Sequence, residues 1–154
     1  MKFATIYVNG QPTAIVQGDD GKARNLVALC EQAGVAVCSD ILSLVQAVEK
    51  DGELLSNLAA AIDDVDEFDV VDLDWAPPLP NPSKILGVAF NNRELVKKAH
   101  RDSGVPNFFM KPPSCLQGHK KPIIVDPEWG ACIPEPEVCA VIGKRAKHIS
   151  EDQA

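Results

Sequence analysis

The sequence predicts an α+β protein: a small N-terminal α+β domain over residues 1–74, a proline-rich connection over 75–82, and a strand-richer domain over 83–154. Three observations carry this expectation. Residues 3–8 and 13–17 are rich in Ile, Val, Tyr and Thr around Asn9-Gly10, the dipeptide that accepts the positive φ of a two-residue hairpin turn. From Ser39 the apolar period changes to that of a helix. Then Trp75 to Pro82 places four prolines in eight positions, which neither a helix nor an inner strand tolerates.

The elements follow in order. The hairpin comes first, with a second turn at Asp19-Asp20-Gly21. Ile41, Leu44, Val45 and Val48 fall on one helical face behind Ser39 or Asp40 as N-cap, with Gly52 near the end. Leu54, Leu55, Leu58 and Ile62 make a second amphipathic helix, and the acidic run Asp63 to Asp69 is its exposed end and the following loop. Residues 70–74 are a short strand candidate. Beyond the prolines, Lys84 to Phe90 reads as a buried-type strand, and Asn91-Asn92 opens a helix from Glu94 to about Ser103, closed by Gly104. Phe108 to Lys111 and Ile123 to Val125 are short strand candidates. Val138 to Ile142 is apolar on both faces and is expected inside a sheet or between two sheets. At the C-terminus, Ser150-x-x-Gln153 has the capping-box spacing of a helix start, so the expectation is of a helix that continues and of a chain that is the N-terminal part of a longer protein.

Charge and cysteine usage exclude several functions. Residues 1–80 hold 4 Lys+Arg against 14 Asp+Glu, and residues 81–154 hold 11 against 8. An acidic first half does not suit nucleic acid, which needs clustered Lys and Arg to neutralise phosphate. The mildly basic second half suits an anionic small substrate. The five cysteines, Cys30, Cys38, Cys115, Cys132 and Cys139, contain no C-x-x-C pair and mostly adjoin aliphatic residues. They are expected to be reduced and buried, as in a cytoplasmic protein. No apolar run approaches the roughly 20 residues of a membrane span.

The chemistry-bearing pattern is Pro134-Glu135-Pro136-Glu137, leading into Val138–Ile142. Residues two apart on a strand share a face, with Cα atoms roughly 6–7 Å apart. Two carboxylates so placed repel each other unless water, a proton or a cation lies between them. Hard cations such as Mg²⁺ prefer carboxylate oxygens with open positions for water and substrate. The same spacing also describes two incidental acids at a solvated strand end.

Three segments occur in order: Lys84-Ile85-Leu86-Gly87-Val88-Ala89-Phe90-Asn91-Asn92, Phe109-Met110-Lys111-Pro112-Pro113-Ser114, and Glu135-Pro136-Glu137-Val138-Cys139-Ala140-Val141-Ile142-Gly143-Lys144. Together they resemble the fumarylacetoacetate hydrolase family over about residues 75–154. The stretch from Ser150 to Ala154 is similar to the helix start that follows in that family. Residues 1–74 resemble only the variable N-terminal region of many members. The resemblance implies a mixed β-rich fold, usually homodimeric, with Mg²⁺, Mn²⁺ or Ca²⁺ in the site. It implies 2-oxo or 1,3-dicarbonyl acids as substrates, with C–C bond hydrolysis, decarboxylation or isomerisation through a metal-stabilised enolate. By the same resemblance Glu135 and Glu137 would be two of three metal carboxylates, and Lys111 would lie near the substrate's carboxylate or carbonyl oxygen.

Two features depart from the family pattern. Its third carboxylate is an Asp beyond the helix that begins at Ser150. Its His and Glu three apart, after the first strand, have as nearest counterparts His100 and Asp102, which are two apart. His100 could act near neutral pH or could simply border the helix face. His119 could cover the site or sit on the surface, and His148 is expected at the surface. The alternative to an enzyme is a non-catalytic relative that lacks the third metal ligand and needs a partner chain.

Overall fold

The computed structural model describes residues 1–99 and 104–153. It has a four-stranded antiparallel sheet in the order β1–β2–β3–β4, formed by β1 (Lys2–Val8), β2 (Gln11–Gln17), β3 (Ala23–Asn25) and β4 (Glu67–Phe68). The Asn9-Gly10 turn closes β1 onto β2 in the expected register, Val8 opposite Gln11 and Lys2 opposite Gln17, with φ of 51° and 76° at the two turn residues. Both angles lie in the left-handed region that Asn and Gly tolerate best.

Three helices cover this sheet: α1 (Leu26–Gln32), α2 (Ile41–Lys50) and α3 (Leu54–Ala61). Asp40 caps α2 with a reciprocal capping box: its carboxylate accepts the Ser43 N–H at 2.7 Å, and the Ser43 hydroxyl accepts the Asp40 N–H at 3.1 Å. Helix α1 begins at Asn25, whose side chain accepts from Val27 N and Ala28 N. Sequence reasoning passed over α1, although Asn25 followed by Leu26, Leu29 and Cys30 has cap and i, i+3, i+4 spacing. All three apolar residues are buried. The core gathers Val16, Leu26, Leu29, Cys30, Leu44, Leu54 and Leu58 between sheet and helices.

On the inner strand β3, Arg24 is 2% exposed and is held by Asp20 at 2.6 and 2.9 Å and by Glu67 at 3.1 Å. Strand β4 forms inside the acidic run, and the predicted strand over 70–74 is absent. An acidic two-residue strand is legible only once its buried arginine partner is known. Ahead of the prolines, the chain instead lies along the free edge of β1. Tyr7 N donates to Asp74 O, Ala76 N donates to Thr5 O, and Trp75 bridges Ile6.

Beyond the prolines a separate two-stranded antiparallel ribbon joins β5 (Ile85–Ala89) to β6 (Asn107–Lys111), with α4 (Arg93–Ala99) between them in sequence. Asn92 accepts the Glu94 N–H, so the asparagine-opened helix starts as expected; its expected run on to Ser103 lies outside the described residues. The ribbon is not buried: every residue of β6 is exposed. The expected strands over 123–125 and 138–142 do not form among the described residues, and Val138 and Ile142 are 101% and 80% exposed. A strand buried on both faces exists only where neighbouring strands and layers cover it, and those are not supplied here. Cys30 and Cys38 are buried, as expected for all five thiols, but Cys115, Cys132 and Cys139 are exposed because their segments lie outside the core. All five are free thiols. Gln153 Oε1 accepts the Ser150 N–H, one half of the expected capping box, but the Ser150 hydroxyl donates to the same oxygen instead of accepting the Gln153 N–H, at the start of a single 3-10 turn over Glu151–Gln153. No helix among the described residues is long and apolar enough to cross a membrane.

Candidate functional site

Lys111 closes β6, opposite Ile85 at the start of β5. Its placement follows from alternation along the strand. Phe109 and Lys111 share a face of the ribbon, and Gly87 is the cross-strand partner of Phe109. A Cβ on Gly87 would lie 2.2 Å from the tip of the Phe109 ring, so the ring lies flat across the glycine. The Lys111 ammonium stands 5.7 Å from the centre of that ring. This is cation–π range, worth about 0.5–1 kcal/mol at an exposed position. The motif glycine, phenylalanine and lysine thus act as one unit: glycine admits the ring, and the ring supports a solvent-facing cation.

Glu135 and Glu137 lie on unpaired, exposed backbone, and neither belongs to a strand. Their segment begins shortly after the 3-10 turn Pro127–Trp129, which Asp126 caps by accepting the Glu128 N–H. As carboxylates in water they have the donor chemistry of a hard cation's ligands. They are not gathered into a cage: among the described residues no three His, Cys, Asp or Glu side chains come together. The residues present therefore do not fit a closed metal centre in this conformation, and no chemical step is assigned through a metal. His100 and Asp102 lie outside the described residues. His119 does not cover the ribbon; it packs edge-on against Trp75, with ring centres 5.8 Å apart. His148 is exposed, with a φ of 55°.

One further contact joins the motif region to the helical layer. Gly143, in the third motif, approaches Val45 of α2 so closely that a Cβ would lie 3.1 Å from it, and Lys144 pairs with Glu49 at 3.8 Å. An open apolar groove of about 410 Å³ lies there, lined by Phe3, Ile41, Leu44, Val48, Leu55 and Gly143 among others. Its lining surface is almost wholly apolar, Glu49 and Lys144 being its only charged residues, and it lacks the convergent polar groups of a catalytic pocket.

The three ordered motifs, the first two of which build the lysine-bearing ribbon, point to a segment of the metal-dependent hydrolase and isomerase class. Comparison with protein families gives the particular one: residues 84–154 match the model of the fumarylacetoacetate (FAA) hydrolase C-terminal family. No curated protein matches the chain.

Proposed function

We propose that residues 83–154 carry the lysine and two of the carboxylates of a fumarylacetoacetate hydrolase-type site acting on a 2-oxo or 1,3-dicarbonyl acid. Residues 1–74 are then a small accessory α+β domain, and 75–82 the connection. Supporting this reading is the Gly87–Phe109–Lys111 unit, which sets a cation on a fixed platform inside the family-matched segment. The Lys111 ammonium would meet the anionic carboxylate or carbonyl oxygen of the substrate, where a positive charge favours the developing oxyanion. Glu135 and Glu137 would offer oxygen ligands to Mg²⁺, Mn²⁺ or Ca²⁺, with the remaining ligands drawn from groups not gathered here. A homodimer and a cytoplasmic location are part of the same proposal; free thiols suit a reducing compartment.

A second reading has its own observation. The aliphatic residues of 123–142 are exposed, as expected of a relative that completes its sheet only against a partner chain and is inert without it.

Two measurements on the chain separate these readings. One is calorimetric titration with Mg²⁺; the other is turnover of acylpyruvates and oxaloacetate in its presence. Mg²⁺-dependent turnover lost in Glu137→Gln and in Lys111→Met supports the catalytic reading. Mg²⁺ binding weakened by Glu137→Gln, without turnover, supports the partner-requiring one. Absence of both binding and turnover removes the metal assignment of the glutamates.

A further inference from the structure

The β5–β6 ribbon has only two strands, and an isolated two-stranded ribbon is marginally stable in water. Something else must hold it. Its register brings Ile85 opposite Lys111, so the chain enters and leaves the ribbon at the same end, the end that carries Lys111. Both connections then run to one place, the edge of β1.

The entering connection is the proline-rich stretch already described, where Thr5 reinforces the edge by donating its hydroxyl to Pro78 O at 2.8 Å. The leaving connection is short and stiff: Pro112 and Pro113 begin it, and a 3-10 turn covers Pro113–Cys115. It ends in a tight turn in which Lys121 N donates to Gly118 O at 3.1 Å. Gly118 is buried against the backbone of Trp75, and a Cβ there would fall 1.9 Å from the Trp75 carbonyl oxygen. Only glycine permits that approach. On one side of it, the His119 ring meets Trp75 edge-on. On the other, the Lys121 ammonium pairs with Asp74 at 2.5 Å. A close backbone approach, a ring contact and an ion pair therefore converge within four residues of each segment.

We infer that Gly118, with Asp74, Trp75 and Lys121, forms a positioning latch by which the edge of the N-terminal sheet holds the Lys111 end of the ribbon in place. The latch itself does not depend on what Lys111 does. Its consequence for ligand binding rests on the proposed function.

Hydrogen–deuterium exchange on the whole chain tests the latch directly. Gly118→Ala is expected to speed exchange of those Phe108–Lys111 amides that bond across to β5 by about tenfold, a factor in the middle of the range for single substitutions, and to leave β1–β2 unchanged. Asp74→Lys or Lys121→Asp alone should accelerate the same amides by about two- to fivefold, as for a partly exposed ion pair. The double exchange Asp74→Lys/Lys121→Asp should return them toward wild type. Should Gly118→Ala also loosen β1–β2, the charge-reversal series decides by itself. Unchanged ribbon exchange in Gly118→Ala, or no recovery in the double variant, overturns the latch. Titration with oxalate in the presence of Mg²⁺ gives the separate functional readout. Weaker oxalate binding in Gly118→Ala, recovered by no change at Lys111, extends the latch to ligand positioning. Wild-type protein that binds no oxalate defeats the reading of Lys111 and leaves the exchange result standing.

Discussion

Truncating Leu58 to alanine tests where this protein keeps its stability. The Leu58 side chain is 0% exposed, in the middle of α3, within the cluster that includes Val16, Leu29 and Leu54. The substitution removes three carbons. At about 0.8 kcal/mol per buried carbon, transfer alone costs roughly 2.4 kcal/mol. The cavity adds to this because rigid neighbours relax only partly, for a total of about 3–4 kcal/mol. Ile124→Ala removes similar hydrocarbon from a residue 85% exposed, so its cost is within about 0.5 kcal/mol. Against a total stability of roughly 5–15 kcal/mol, the first change is severe and the second negligible. Urea unfolding followed by far-UV circular dichroism, with wild-type and both variants at one temperature, measures the contrast. A Leu58→Ala cost below about 1 kcal/mol, or an Ile124→Ala cost equal to it, would refute the claim that the core lies between the first sheet and its helices.

Other outcomes follow from particular contacts. Arg24's hydrogen bonds, followed by the Lys22 backbone N–H, hold the Asp20 carboxyl down at about 2, below its ordinary 3.8. A depressed carboxyl stabilises the fold fully above its unfolded value and loses that contribution as pH falls from near 4 toward 2, so Asp20→Asn should flatten the acid limb of a Tm-against-pH curve. Asp40→Ala should cost about 0.5–2 kcal/mol by removing the α2 cap, read as a lower urea midpoint with unchanged m. Burial, and then the neighbouring Cys30, pushes the Cys38 thiol up to about 11. A chromogenic disulfide reagent near neutral pH should therefore titrate Cys115, Cys132 and Cys139 promptly, and Cys30 and Cys38 only after denaturant is added. Five equally fast thiols would contradict the placement of the first two.

The hairpin, the α2 cap and the Phe108–Lys111 strand were legible because each is written in neighbouring residues: Asn9-Gly10, Ser39 or Asp40 ahead of the helical period, and the apolar run through Phe108, Phe109 and Met110. Strand β4 was not legible, because it exists through Arg24, more than forty positions away in the chain. The run from Val138 to Ile142 misled for the opposite reason. Its aliphatic composition states that it can be buried, but burial is a property of what lies around a segment, and among the described residues too little lies around it: Val138 is 101% and Ile142 80% exposed. Part of the candidate site followed the same division. Lys111 ends a strand that its neighbours announce, although only the family resemblance singled it out for the site, whereas the pairing of Glu135 with Glu137 was inferred from a strand that does not form among the described residues, and so lost its geometric basis.

Because Ile85 faces Lys111, a latch at that end would make the ribbon a cantilever. A clamped beam bends least beside its support and most at its tip. If the latch holds, thermal agitation would spread the far end, where Ala89 meets Asn107, through a wider arc than the ammonium group at the root. Selection for a steady cation would act on the clamp before it acted on the strand.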